Sequence, residues 1–352
     1  MIEIKIMANT KTTNFKPKDV TKKLLAQIPE RARDVLTKRY GLGKGAKKMT
    51  LEAIGEEYGI TRERVRQIEN FGLNLIKKSK IFKSTEPVFA NLLKLMNESG
   101  GIVHEQEFIA SLTKDKETQN HIHFLLVVGE AFFKLKEDDE FHHRWTTDPE
   151  LADKVHNSLR HLCSSFSQED LVSEPELVER FLKELKEAVK DPKVAEFSQK
   201  WLTISKRLSK NPMGEWGLAS SPNVRMRGIR DYAYLVLRQK GAPMHFTEVS
   251  KAIAKTFGKK AHPATCHNEL IKDSRFVLVG RGLYALSEWG YTRGTVVDVI
   301  KRILAQTGPL TKDEIVKRVL KERYVKENTI SVNLQNPRYF KRETGGRYAI
   351  AS

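Results

Sequence analysis

The sequence predicts a mainly α chain, with a helix-turn-helix head followed by repeated small α+β units. Two observations carry this. The run TLEAIGEEYGITRERVRQIE, Thr50 to Glu69, has the caps, glycines and apolar spacing of two helices joined by a tight turn. Farther along, three segments repeat one order: helix, glycine-containing break, helix, helix, two-stranded hairpin. At 352 residues the chain is long enough for two or more such domains.

Residues 1–18, MIEIKIMANTKTTNFKPK, are rich in Lys, Thr and Asn and are expected to be disordered, and Met7 offers a second start. The head follows over residues 19–82. Thr50 caps its first helix, which turns Leu51, Ile54 and Tyr58 toward a core. Gly55 lets two helices touch, and Gly59 supplies the backbone freedom of the turn. Thr61 caps the second helix, with Glu63 and Glu69 placed near its ends. Val65, Ile68, Gly72, Leu75 and Ile76 recur at helical spacing and face the core.

Arg62, Glu63, Arg66 and Gln67 fall on another face, within the first two turns. That is where a recognition helix needs its reading groups, because its N-terminal end enters the major groove. Arginine forks onto guanine, glutamine pairs with adenine, and glutamate accepts from the cytosine amino group.

TRERVRQIE closely resembles the recognition helix in region four of sigma-70-family RNA polymerase sigma factors. The likeness extends upstream through IPERARDVLTKRYGLG and covers roughly Val20 to Lys78. It implies binding of double-stranded DNA at a promoter minus-35-like element, and contact with the β flap of the RNA polymerase core. By matching position, Arg62, Glu63, Arg66 and Gln67 would read bases, while Arg31, Arg39, Thr50, Leu51 and Arg64 would lie along the DNA backbone. The chain departs from the family at Asn70-Phe71-Gly72-Leu73-Asn74-Leu75, where a basic turn is usual. The family's promoter-melting region lies upstream of this motif. Only about twenty residues precede it here, so the melting region is expected to be lacking.

The three repeated units are assigned to residues 86–147, 226–290 and 291–352. In the first, Phe89 to Asn97 and Glu117 to Val127 are helical, and FFKLKEDDEFHHRWT forms the hairpin. In the second, Ile229 to Gln239, GAPMHFTEVSKAIAKTF and Pro263 to Ile271 precede the hairpin FVLVGRGLYAL. In the third, Thr295 to Ala305, TGPLTKDEIVKRVLKER and Glu327 to Leu334 precede YFKRETGGRYAI, whose Gly345-Gly346 suits a tight turn. This order is the winged-helix plan: the hairpin is the wing and the third helix the candidate reader. Residues 148–225 read as a helical connector and linker, with helices at Glu150 to Phe166 and Glu174 to Val189, and a third helix or extended piece from Val194 to Leu208. Within it, Leu177, Phe181, Leu182 and Leu185 share a face, and Trp201 and Trp216 anchor the segment to a neighbour.

The middle unit, through APMHFTEV, SRFVLVGRGLYAL and Glu288-Trp289, resembles the HARE-HTH domain, a family that includes the delta subunit of RNA polymerase. The likeness implies DNA binding, or bridging between DNA and protein. Arg281 in the middle wing, and Lys341, Arg342 and Arg347 in the last, are placed to meet phosphates. The first wing carries Glu137-Asp138-Asp139-Glu140 at its tip, which would repel DNA.

Composition agrees with a polyanionic partner: 62 Lys and Arg against 44 Asp and Glu give a formal charge of +18. Two cysteines make no disulfide framework, and no apolar run reaches a membrane span, so a cytoplasmic, nucleoid-associated protein is expected. Gly41 to Lys48, GLGKGAKK, lacks phosphate-loop spacing and reads as the loop entering the helix-turn-helix. His104, His121, His123, His142 and His143 have no metal-ligand spacing. No enzyme, metal or cofactor is expected. The resulting reading is a sequence-specific, bacterial DNA-binding transcription factor related to sigma factors. The alternatives are a delta-like polymerase accessory protein with little sequence preference, and a DNA-targeting subunit of a restriction or repair system.

Overall fold

The computed structural model describes residues 13–186 and 193–351, and the expectations for residues 1–12 and for a helix reaching Val189 lie outside the described residues. The chain forms two compact units, residues 1–209 and 210–352. No helix among the described residues is long and apolar enough to cross a membrane.

The first unit opens with α1 (Pro17–Leu25) and α2 (Glu30–Tyr40). Pro17 starts α1 because its fixed φ suits the first helical turn, so ordered structure begins inside the segment expected to be disordered. After the Gly41–Lys48 loop come α3 (Leu51–Tyr58) and α4 (Arg62–Lys78), then α5 (Lys80–Ser84) and α6 (Glu86–Asn97). The chain continues through β1 (Ile102–His104), α7 (Glu105–Leu112), α8 (Lys116–Val128), β2 (Phe133–Leu135) and β3 (Arg144–Thr146). It ends with α9 (Pro149–Ser164), α10 (Glu174–Lys186) and α11 (Val194–Leu202). Of the stretch expected to be helix or extended to Leu208, the helix covers Val194–Leu202, and Ile204 and Ser205 turn back by bonding Trp201 and Leu202.

The boundary drawn near residue 82 does not separate two cores. Leu24, Leu36 and Ile76 of the head pack in one cluster with Leu92, Met96, Phe124, Leu125 and Trp145 of the first winged helix. Helix α8 is the contact, lying against α1, α2 and α4. Its run of His121 to Leu126 is buried, together with Val128. A helix apolar nearly all round is one enclosed by neighbours.

The segment read as a connector is, up to residue 209, also part of this unit. Trp201 is buried and donates from Nε1 to the Gly100 carbonyl at 3.2 Å. His142 N–H bonds the Ile204 carbonyl at 3.0 Å, beside a bridge between Phe141 and Ser205. The acidic tip of the first wing is neutralised from the same side. Glu140 pairs with Arg160 (2.7 Å) and Arg207 (3.3 Å), Glu137 with Lys206, and Asp138 with Arg144 (3.2 Å). Glu140 and Glu137 thereby tie the wing to α9 and to residues 206–207, and Asp138 braces the wing internally.

Short strands β4 (Leu208–Lys210) and β5 (Trp216–Leu218) follow, and the second unit then repeats the winged-helix order twice. The middle copy is α12 (Ile229–Lys240), β6 (Met244–His245), α13 (Phe246–Phe257), α14 (Pro263–Lys272), β7 (Phe276–Gly280) and β8 (Leu283–Leu286). The last is α15 (Val296–Thr307), β9 (Leu310–Thr311), α16 (Lys312–Glu322), α17 (Glu327–Leu334), β10 (Phe340–Arg342) and β11 (Arg347–Ile350).

All three copies share one antiparallel sheet order, in which the second wing strand lies between the first wing strand and a short strand before the second helix. The registers are equivalent: Val103↔Trp145, Met244↔Tyr284 and Leu310↔Tyr348 join the short strand to the wing. The sequence reading had hairpins and missed this third strand. In the last two copies it is two residues long, too short to show an alternating pattern.

Candidate nucleic-acid interface

The helix-turn-helix is fixed by its caps and by a small core of its own. Thr50 Oγ1 accepts from Ala53 N–H at 3.1 Å, and Thr61 Oγ1 from Arg64 N–H at 3.2 Å. Gly59 takes φ +63°, and Ile60 N–H closes back onto the Gly55 carbonyl at 2.9 Å. A Cβ on Gly55 would stand 2.6 Å from the Ile60 carbonyl oxygen, so the turn needs glycine there. Val35, Ile54 and Val65 are fully buried between α2, α3 and α4, with Leu51, Tyr58 and Ile60 around them.

This packing leaves Arg62, Glu63, Arg64, Arg66 and Gln67 exposed on the first two turns of α4. They are organised among themselves. Arg66 forks onto Glu63 through Nε (2.8 Å) and Nη2 (2.6 Å), and the guanidinium holds the Glu63 carboxyl below the usual carboxylate range. Arg62 pairs with Glu52 of α3 at 2.8 Å, and Arg64 donates to Gln67 at 3.0 Å. Exposed pairs of this kind are weak and readily exchanged. The fork that Arg66 offers Glu63 is the same one that guanine O6 and N7 accept.

The residues expected along the DNA backbone divide. Arg31 is exposed, with its guanidinium 5.8 Å from the Tyr58 ring centre. Thr50 is exposed at the start of α3, its oxygen engaged by the cap. Leu51 is half-buried, packing its side chain against the small core. Arg39 is committed within the fold: it donates to the Met49 carbonyl at 2.9 Å and lies 3.7 Å from Glu69. The sequence reading missed that second partner. Glu69 is not near a helix end but buried in the middle of α4, accepting from the Tyr40 hydroxyl at 2.8 Å. The signal was present, since Val65, Glu69, Gly72 and Ile76 follow the spacing of one helix face.

Arg281, Lys341, Arg342 and Arg347 are all exposed on their wings. The middle wing is tied back at its outer edge, where Tyr324 N–H bonds the Val279 carbonyl at 2.7 Å and bridges to Gly280. The candidate reading helices α14 and α17 bury only one side, through Cys266 and Leu270, and through Ile330 and Leu334. The equivalent α8 is enclosed from His121 to Val128, and its first turns, Lys116 to Asn120, reach the surface. Among the described residues no three His, Cys, Asp or Glu side chains form a metal cluster; His104 and His142 stack with ring centres 4.9 Å apart.

Residues 24–78 match the model of sigma-70 region 4, and residues 229–289 match that of HARE-HTH, an HTH domain named in part for ASXL and restriction endonuclease. Similar curated proteins include the RNA polymerase sigma factor RpoS of Coxiella burnetii, 48% identical over 56 residues, which are 16% of this chain and 16% of the relative. The sigma factor SigA of Nostoc sp. is 49% identical over 55 residues, 16% of this chain and 14% of its own length. The principal sigma factor HrdD of Streptomyces viridifaciens is 40% identical over 55 residues, 16% of each chain. The chain thus spans about a sixth of the length of these relatives. It joins a helix-turn-helix similar to sigma-70 region 4 to a winged helix similar to the HARE-HTH domain.

Proposed function

We propose that the chain is a non-enzymatic, sequence-specific DNA-binding transcription factor related to sigma factors. It reads a promoter minus-35-like element with the first two turns of α4. The observation that carries this reading is the exposed set Arg62, Glu63, Arg66 and Gln67 on a helix that α2 and α3 pin from behind. Their donor and acceptor types suit base edges. The similar proteins are RNA polymerase sigma factors, which supports contact with the polymerase core, through the β flap that the resemblance implies. Selection of bound duplexes from a random library, with and without core polymerase, tests the reading. One enriched short motif is expected, and an unenriched pool contradicts it.

The HARE-HTH match favours a second reading, a delta-like accessory protein of polymerase. That reading predicts enrichment of no motif but stable association with core enzyme.

A further inference from the structure

The glycine- and lysine-rich loop that enters the helix-turn-helix lines a cleft that base reading leaves unused. The cleft measures about 730 Å³ and lies between residues 45–48 of the loop and the outer faces of α7 and α8. Pockets of this size hold small organic ligands.

Its wall carries three lysines, Lys47, Lys48 and Lys116, and two acids, Glu105 and Glu117. The acids are already taken. Glu105 accepts from Lys134 (2.8 Å) and from Trp145 Nε1 (2.8 Å), with His123 at 3.5 Å. Burial alone would raise its carboxyl, yet His123 and Lys134 hold it well below the usual range. Glu117 pairs with Lys18 at 3.3 Å. The three wall lysines make no ion pair with any described residue, so the cleft keeps uncompensated positive charge.

Lys48 is the most exposed to this imbalance. It keeps solvent access, but the protein around it crowds the ammonium enough to lower its pKa. The Glu105 charge opposes that effect, while Lys134 and Arg39 add to it. An anion beside Lys48 would relieve both the crowding and the like charges. The remaining wall suits the body of a phosphate ester: Ile109 and Ala110 supply an apolar surface, and Gln106 supplies an exposed amide. Gly45, at φ +68° with open space where a Cβ would be, leaves the loop backbone approachable.

We infer that this cleft is a phosphate-binding site, taking a phosphate-bearing small molecule through Lys47, Lys48 and Lys116. The same chemistry could come from a backbone phosphate of the bound duplex, because Lys48 lies two residues before Thr50, which caps α3. The inference does not rest on base reading by α4.

The test uses the full chain. Adenosine triphosphate and tripolyphosphate are titrated calorimetrically into the wild type, Lys48→Met and Lys48→Arg, and duplex affinity is measured against salt for each. Saturable binding of one anion per chain is expected, weakened about tenfold by Lys48→Met, as for a lost hydrogen bond to a charged group, and largely retained by Lys48→Arg. If neither anion binds but Lys48→Met lowers the salt slope on duplex by about 0.9, the phosphate comes from the DNA. Absent anion binding with an unchanged slope overturns the inference, and so does anion binding that Lys48→Met leaves intact. Should Lys48→Met melt early, the double variant Lys47→Met with Lys116→Met takes its place, with the same outcomes.

Discussion

Gly55 shows how one residue sets the reading head. Alanine is the better helix former by about 0.5–1 kcal/mol, so propensity alone favours Gly55→Ala. The added Cβ would meet the Ile60 carbonyl at 2.6 Å, and that oxygen belongs to the turn backbone, which cannot swing aside. Overpacking of this kind costs about 1–3 kcal/mol and wins. Gly55→Ala should lower the denaturant midpoint of the chain; an unchanged or raised midpoint would show that the turn relaxes freely. The sequence marks Gly55 as a close approach between two helices, whereas the approach is to the backbone of the turn at residues 60–62. The partners that allow Glu69 to be buried, Tyr40 and Arg39, come from a distant helix and are not legible from local spacing.

At the scale of elements, the least legible feature was how α8 is used. Its residues IHFLLVV form an almost unbroken apolar run, which signals burial on all sides rather than a reading helix. What it packs against, α1, α2 and α4, lies far upstream in the chain, beyond the reach of any periodicity argument. The attachment of α9 to the first wing was equally hidden, since it depends on side chains meeting across the fold. One of these contacts makes the attachment pH-dependent. His156, buried on α9, accepts at Nε2 from Arg144 Nε at 2.8 Å. Burial, helped by the nearby Arg144 charge, lowers its pKa to about 4. An unfolded histidine titrates near 6.5, so the unfolded chain binds the proton first as pH falls. The stabilising contribution is therefore complete above pH about 6.5 and is lost progressively toward pH 4. Chemical denaturation followed by Trp fluorescence should show a midpoint falling across that window. His156→Gln keeps an acceptor for Arg144 but does not titrate, and it should flatten the fall. An equally steep fall in that variant would assign it to other groups.

For the whole molecule, the threefold repeat was readable because each copy opens its second helix with the same break and closes on a hairpin. What the copies do differs. The first is built into the head by a shared core, whereas the other two keep open helix faces and cationic wings. The shared core also determines how the wings should be tested. Cutting the chain after residue 82 would strip α8 from α1, α2 and α4, so charge removal in the full chain is the sounder comparison. If the wings meet phosphates, replacing Arg281, Lys341, Arg342 and Arg347 by Ala should reduce the slope of log affinity against log salt by about 0.9 for each phosphate no longer neutralised. A slope equal to that of the wild type, on a duplex long enough to reach every module, would assign the wings to protein contacts.

Base reading by α4 stands or falls most directly on Arg66. Among the described residues Arg66 is paired with the exposed carboxylate of Glu63, so its removal is expected to leave the fold intact. The decisive measurement is competition binding of the wild type and Arg66→Ala, on the selected site and on random duplex at one salt concentration. Direct readout predicts a loss of about ten- to a hundredfold on the selected site, with much smaller loss on random DNA and relaxed preference at one base pair. Equal losses on both duplexes would contradict it, and would reduce Arg66 to one more cation on a basic surface.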